Sequence, residues 1–570
     1  MQNLQTYTTD VLVVGGGMAG CFAAIAAREN DCDVILVDKG YVSSSGQTPF
    51  AGTLLVFDPE KDDRQETINY VRKTGDYVVN VDWLNITMDR SMECYLQMKS
   101  YGVPFAKGAD GQDRRMKEDG ARAVFPDNLK FPQILRKKVL ETGATILDRI
   151  MVVELIMQDD EVCGVVGITV SDAYPVVIKA KKVILCTGAS AFKPPSWPVS
   201  NLTGDGDMMA YRVGASITGK EFVDTHGTSS TNPYYMGRNP LKGHMGPPPE
   251  RPPHGDRPPM GHPPNGDKPP MGHPPHGDRP PHGKPPRPRF TNALGEEVNI
   301  AGHLNLGIEF EIHKGNGPMV LPKGGRGPIA GGELVSCASS GMSTHKAEGI
   351  LPMGLDCSTE IQNLYAAGDS LGTMTTGAAY ATIGLAHMGS AVTGKIAGEN
   401  ASQTAKTSAH KQVADDTITT LFDKIYAPLN RAGGFSPRWV INLLQNLTMP
   451  YFNLIIKEET RLKSILSQVR YLKTDVVPKI KASDAHELRL ALETANMVSN
   501  AEIKICASLE RCESRGTHFR EDYPFRDEQN FSTWISCKQI DGEMQISKHP
   551  IPSDWAWQEG EPRFVTFEEV

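Results

Sequence analysis

Apolar residues fall into short unbroken runs near the start of the chain. Val11–Val14 is one such run; Gly15, Gly17 and Gly20 follow, then the alanine-rich stretch Cys21–Arg28, then the run Val34–Val37. A run of four apolar residues bounded by turn residues predicts a strand buried on both faces. Strand, helix and strand in that order predict a parallel pair joined by the helix. A helix is expected over Gln133–Thr142. Between Val152 and Cys186 the runs VVELI, VCGVVGITV and PVVIKAKKVILC predict an antiparallel meander. Lys182–Gly188 (KVILCTG) and Asn363–Asp369 (NLYAAGD) each read as a buried strand ending in small or acidic residues. Gly377–Gly398 reads as a glycine-spaced helix start. From Asn400 to about Ser499 apolar residues recur three and four apart, as at Leu443, Leu444 and Leu447 or Leu488, Leu492 and Ala495, which predicts helices. The fold class is therefore α/β, with a mostly helical region near the C-terminus.

One segment departs from this pattern. His244–Pro288 holds 18 Pro, 6 His and 7 Gly, and its only apolar side chains are Met245, Met260 and Met271. An eleven-residue unit recurs in it from Pro252, Pro263 and Pro274. Such a composition cannot bury enough apolar surface to offset chain entropy, so a polyproline-like, disordered surface insertion is expected. Its histidines suit transition metals, and its prolines suit protein docking. A tolerated loop is the simpler reading, and no metal site is expected.

Charge and cysteine content narrow the function. Lys and Arg number 59 against 67 Asp and Glu, a net charge of −8, which argues against nucleic acid as a partner. No apolar run reaches the roughly 18 residues of a membrane span, and Met1–Asp10 lacks the basic head and apolar stretch of a secretory signal. The ten cysteines are scattered and none has CxxC spacing, so neither a ferredoxin-type cluster nor a zinc ribbon is encoded. Unpatterned cysteines in a long chain fit reduced thiols in a cytoplasmic protein.

The opening motif carries the first chemistry. Gly15 permits the tight turn, Gly17 lets the backbone approach a pyrophosphate, and Gly20 lets helix pack on strand. Met18 and Ala19 then lie at a helix N-terminus whose free N–H groups face the phosphates. Asp38 ends the second strand, where a carboxylate meets ribose hydroxyls, and Lys39 follows it. The two later strands resemble those of two-dinucleotide-type flavoproteins. There the acid after the Gly would bind the ribityl chain of FAD, here Asp369 after Gly368. The glycine-spaced helix start that follows, Gly377–Gly398, would aim its positive end at the N1/C2=O edge of the isoalloxazine, with Thr382 and Ile383 as further cofactor contacts. Thr187 and Gly188 end the other strand.

Over nearly its whole length the chain resembles the flavoprotein subunits of succinate dehydrogenase and fumarate reductase, with relatives such as L-aspartate oxidase and the alpha subunit of adenylylsulfate reductase. Thr203–Phe222 (TGDGDMMAYRVGASITGKEF, with Asp205), Phe290–Glu296 (FTNALGE) and Ser514–Pro524 (SRGTHFREDYP) are similar to three further family motifs. The resemblance implies a doubly wound, Rossmann-like FAD domain with an inserted α+β capping domain, a helical domain and a C-terminal extension. The expected limits are 1–225 and 345–404 for the FAD domain, 226–344 for the cap, 405–500 for the helical domain and 501–570 for the extension. Covalently flavinylated relatives carry a His after the second strand. Val42–Gly52 has none, which implies non-covalent FAD contacted by Ser44, Ser45, Gln47 and Thr48, and leans towards reduction.

Fumarate reductases carry a substrate-binding Arg in a GANR-type motif. The matching stretch here, Gly377-Ala378-Ala379-Tyr380, has Tyr in its place; Tyr cannot provide a bidentate fork for a carboxylate. The proton-donating Arg-Asp motif is also missing near Asn292–Pro322. A substrate other than fumarate or succinate is implied. His226 matches the His of the family's HPT motif, and His345 lies near its second substrate His. Both would bind substrate or carry its proton, with Tyr380 a third candidate that would polarise a carbonyl. Arg515, His518 and Arg520 would hold the C-terminal segment in place. The implied reaction is hydride transfer from flavin N5 to the C=C bond of a small unsaturated acid or enone. Electrons would come from an iron–sulfur or other donor protein. An alpha chain of adenylylsulfate reductase type, paired with a separate iron–sulfur protein, is an alternative. So is a non-catalytic flavoprotein acting through its repeat.

Overall fold

A computed structural model describes the chain except for residues 1–2, 51, 119–120, 128–129, 195–199, 224–227, 230–231, 237–289, 293, 301–303, 318, 321–332, 336–345, 381 and 564–570. His226, His345 and the repeat of 244–288 lie outside the described residues.

The central sheet follows from the apolar runs. β1 (Gln5–Val14), α1 (Met18–Glu29) and β2 (Val34–Asp38) form the opening unit, with β1 and β2 parallel and Val14 opposite Val37. Val11, Leu12 and Val13 are fully buried, as an unbroken apolar run requires. β3 (Thr145–Asp148) extends the sheet beyond β2, also in parallel. β4 (Ile150–Gln158), β5 (Glu161–Thr169) and β6 (Pro175–Leu185) form the expected meander. β6 has a double role. Its first half pairs antiparallel with β5, its last three residues pair in parallel with β7 (Leu364–Ala366), and its other edge runs in parallel along β1. The parallel order is thus β3-β2-β1-β6-β7, and the chain reverses its direction of growth between β1 and β6. Ligands of open α/β sheets bind outside the carboxyl ends of strands at such a point.

Two helices cover that end. α2 (Asp205–Arg212) follows β6, and α3 (Leu385–Lys406) follows β7. α3 starts at Leu385, later than the expected Gly377. Gly377 (φ +63°) and Gly384 (φ +72°) take the left-handed conformation, which suits a turn or helix end and not a helix interior. α3 packs tightly on α1: a Cβ at Gly394 would meet the carbonyl of Ala19 at 2.2 Å.

Among the described residues between 228 and 335, six short strands form a separate sheet. The helix Leu304–Glu311 packs on it through Ile308 against Phe290 and Met319. Helices Asp415–Asn430, Pro437–Thr448, Glu459–Tyr471 and α4 (Ala485–Glu510) form the helical region, and α4 continues past position 500. The hairpin Thr533–Ile540/Glu543–Pro550 returns to pair with Ile217–Thr218. Among the described residues no helix is long and apolar enough to cross a membrane.

Candidate FAD site

The carboxyl ends of β1, β2, β6 and β7 lie along one edge, so the motifs that follow them converge. At β1 the chain turns through Gly15 (φ +103°), where a Cβ would sit 2.3 Å from the carbonyl of Cys186. A Cβ at Gly20 would sit 1.8 Å from the carbonyl of Gly15. Only glycine permits this approach of helix to strand. The first turn of α1 carries Met18 and Ala19, and Met18 N–H donates to Thr48 Oγ1 at 2.9 Å. Asp38 closes the turn from β2, accepting from Gly16 N–H at 2.7 Å and Gly40 N–H at 2.6 Å. Burial pushes its pKa up, against those N–H donors and Lys39.

Lys39 turns to the protein interior. Its ammonium donates to Asp205 Oδ2 at 2.6 Å, Thr203 Oγ1 at 2.9 Å and Glu493 Oε1 at 3.0 Å. Lys39 and Asp205 are thus brought to each other, tying β2 to α2 and α4. Ser45 Oγ turns back on the Tyr41 backbone, while Ser44 Oγ accepts from Gln133 at 3.5 Å. The Gln47 carbonyl accepts from Phe50 N–H at 2.9 Å, closing a short turn that includes Thr48. Further on, the Thr53 carbonyl lies 3.2 Å from His387 Nδ1 on α3. Thr187 Oγ1 lies 3.0 Å from Ser370 Oγ, which also donates to the carbonyl of Gly188 at 3.3 Å.

At the far end Gly368 N–H donates to Thr393 Oγ1 at 3.0 Å, and Asp369 follows. Thr382 and Ile383 are buried at the approach to α3, and Tyr380 is half-buried just before them. Three buried polar atoms here find no hydrogen-bond partner among the described residues: Asp369 Oδ1, Lys346 Nζ and His387 Nε2. Burial pushes His387 down to about 4, so its ring is neutral. Unmet acceptor and donor groups at the end of a dinucleotide cradle fit a polyhydroxyl chain and a heteroaromatic edge. Lys346 and His387 are not legible in the sequence as site residues. Lys346 adjoins His345 in the same motif, but nothing in the sequence marks it as buried.

The C-terminal motif lies against the same region. Arg511 and Arg515 are fully buried; Arg511 pairs with Glu221 at 3.0 Å, and both reach Glu513, at 2.8 and 2.7 Å. His518 Nδ1 is 2.8 Å from Lys457 Nζ and its Nε2 is 3.0 Å from the Arg511 carbonyl. Burial, then the surrounding cations, hold this His well below its ordinary pKa, so the neutral ring accepts from Lys457. Thr517 Oγ1 accepts from Val223 N–H at 3.1 Å and donates to the Ala378 carbonyl at 2.9 Å. One hydroxyl therefore joins the segment leading to residue 226 with the segment leading to Tyr380.

A glycine turn at the sheet's reversal point, an acid on β2 and a second acid after β7 define an FAD-dependent oxidoreductase. Residues 10–234 match the sequence model of the FAD binding domain, and residues 444–562 match that of the fumarate reductase flavoprotein C-terminus. The chain belongs to the flavoprotein family of succinate dehydrogenase and fumarate reductase. It is 24% identical over 540 residues to an uncharacterised FAD-dependent oxidoreductase of Methanocaldococcus jannaschii, covering 91% of this chain and 95% of the relative. It is 26% identical to one chain of the CoM/CoB fumarate reductase of Methanothermobacter marburgensis, over 40% of this chain and 44% of that relative. The fold superposes on adenylylsulfate reductase from Archaeoglobus fulgidus with a TM-score of 0.75 at 19% identity, covering 97% of each chain.

Proposed function

We propose that this flavoprotein reduces the C=C bond of a small unsaturated acid or enone held between the FAD domain (1–225 and 345–404) and a cap formed by 226–344. The observation that carries the reading is the match of residues 444–562 to the fumarate reductase flavoprotein C-terminus. The glycine turn and the first N–H groups of α1 would hold the pyrophosphate, Asp38 the adenosine ribose and Asp369 the ribityl chain. Bound there without a covalent link, FAD supplies two-electron chemistry. Tyr380 stands where the resemblance places a carboxylate-binding Arg, so the substrate is not a C4 dicarboxylate. His226 and His345 are proposed to bind it or move its proton. Closure of the cap would exclude water. Electrons would come from a separate donor protein, of iron–sulfur or other type.

Reoxidation of the dithionite-reduced protein by a panel of enoates, enones and adenylylsulfate tests this. Rapid return of the oxidised flavin spectrum with an enoate or enone is expected. Reoxidation by adenylylsulfate alone would favour the alternative of an adenylylsulfate reductase alpha-type chain, and silence across the panel would overturn the reading.

A further inference from the structure

Lys346 is a buried cation without a full counter-charge. It is 1% exposed, and among the described residues its Nζ makes no hydrogen bond. Among the described residues the nearest acidic atom, Asp369 Oδ1, is 4.0 Å away, too far for a hydrogen bond, and that oxygen also finds no partner among them. Among the described residues, the other groups facing Lys346 carry no charge. The Cys186 and Cys357 thiols are pushed up by burial and stay protonated. From α3, Gly389 leaves room for the lysine stem; a Cβ there would lie 3.3 Å from Lys346 Cε. His387, on the same turn of α3, is neutral. Burial lowers the Lys346 pKa to about 8, and Asp369 opposes that shift, so the ammonium is still protonated at neutral pH. An isolated buried charge is costly unless something offsets it.

We propose that Lys346 is a positioning residue for the cofactor: its ammonium, set behind the Asp369 carboxylate that would meet the ribityl chain, lends positive potential to the flavin, favouring its reduced, more negative form. This rests on the reading of Asp369 as a flavin contact. The lysine is not asked to touch substrate or to transfer a proton. Its effect is on the balance between oxidised and reduced flavin affinity, which for a nearby unit charge inside a protein amounts to at least about tenfold.

The test uses holoprotein of wild type, Lys346→Met and Lys346→Arg. The midpoint potential of bound FAD is read against reference dyes, and oxidised-FAD affinity by fluorescence quenching. Lys346→Met should lower the potential by about 30 mV or more, the equivalent of a tenfold change for a two-electron couple. Lys346→Arg should stay near wild type. An unchanged potential in Lys346→Met overturns the proposal, as does an equal fall in Lys346→Arg, which would make shape and not charge the cause. Should Lys346→Met not fold, Lys346→Gln carries the same two outcomes. Asp369→Ala separates this idea from the reading beneath it. Unchanged FAD occupancy there defeats the reading of Asp369. Lost occupancy together with an unshifted Lys346→Met potential defeats only the proposal for Lys346.

Discussion

A single methyl group decides whether the cofactor cradle can form. At Gly20 it would lie 1.8 Å from the Gly15 carbonyl, a backbone atom that cannot swing aside. Helix and strand would have to part, and the N–H groups of the first turn of α1 would leave the edge of the sheet. Gly20→Ala should therefore purify with little flavin, read as the ratio of visible to ultraviolet absorbance. Full occupancy in that variant would remove the turn from the site. At this scale the sequence is informative where chemistry and geometry demand one residue type. Gly15 and Gly20 are legible for that reason. Lys346 is not, because a lysine reads as surface unless its surroundings are known. Thr517 is not, because a hydroxyl bridging Val223 and Ala378 has no local signature.

Elements are legible in their interiors and less so at their ends. The buried runs of β1, β2 and β6 predict strands, since unbroken apolar residues suit a sheet covered on both faces. α3 starts later than residue spacing predicts because small apolar residues continue smoothly from Gly377, while the left-handed backbone at Gly377 and Gly384 leaves no trace in that spacing. α4 begins at a clear cap: Asp484 accepts from Glu487 N–H at 2.8 Å, and Glu487 in return accepts from Ser483 N–H at 2.8 Å. Asp484→Ala should cost about 1 kcal/mol of stability, visible as a lower urea midpoint with an unchanged slope. No shift in midpoint would show that packing alone sets the start of α4.

Across the whole molecule, Glu493 on α4 joins regions far apart in sequence. It is fully buried and receives Lys39, Lys193 and Arg489, at 3.0, 2.8 and 2.9 Å. Burial alone would raise its pKa, but the three cations overcome that and hold it at about 2, against an ordinary 4.5. A carboxylate depressed in the folded state stabilises above its unfolded pKa and loses that contribution as pH falls through its folded one. The loss should fall between pH 4.5 and about 2 and amount to something on the order of 3 kcal/mol. Urea midpoints at pH 7 and pH 3 should differ less in Glu493→Gln than in wild type; equal pH dependence would assign acid lability elsewhere. The Thr517 bridge has a consequence of timing. A ribosome delivers Val223 and Ala378 well before the residue that fastens them, so neither stretch of chain can be locked during most of translation. Catalytic competence should arrive late and all at once, and a nascent chain arrested before residue 517 should be inert however well its glycine turn has formed.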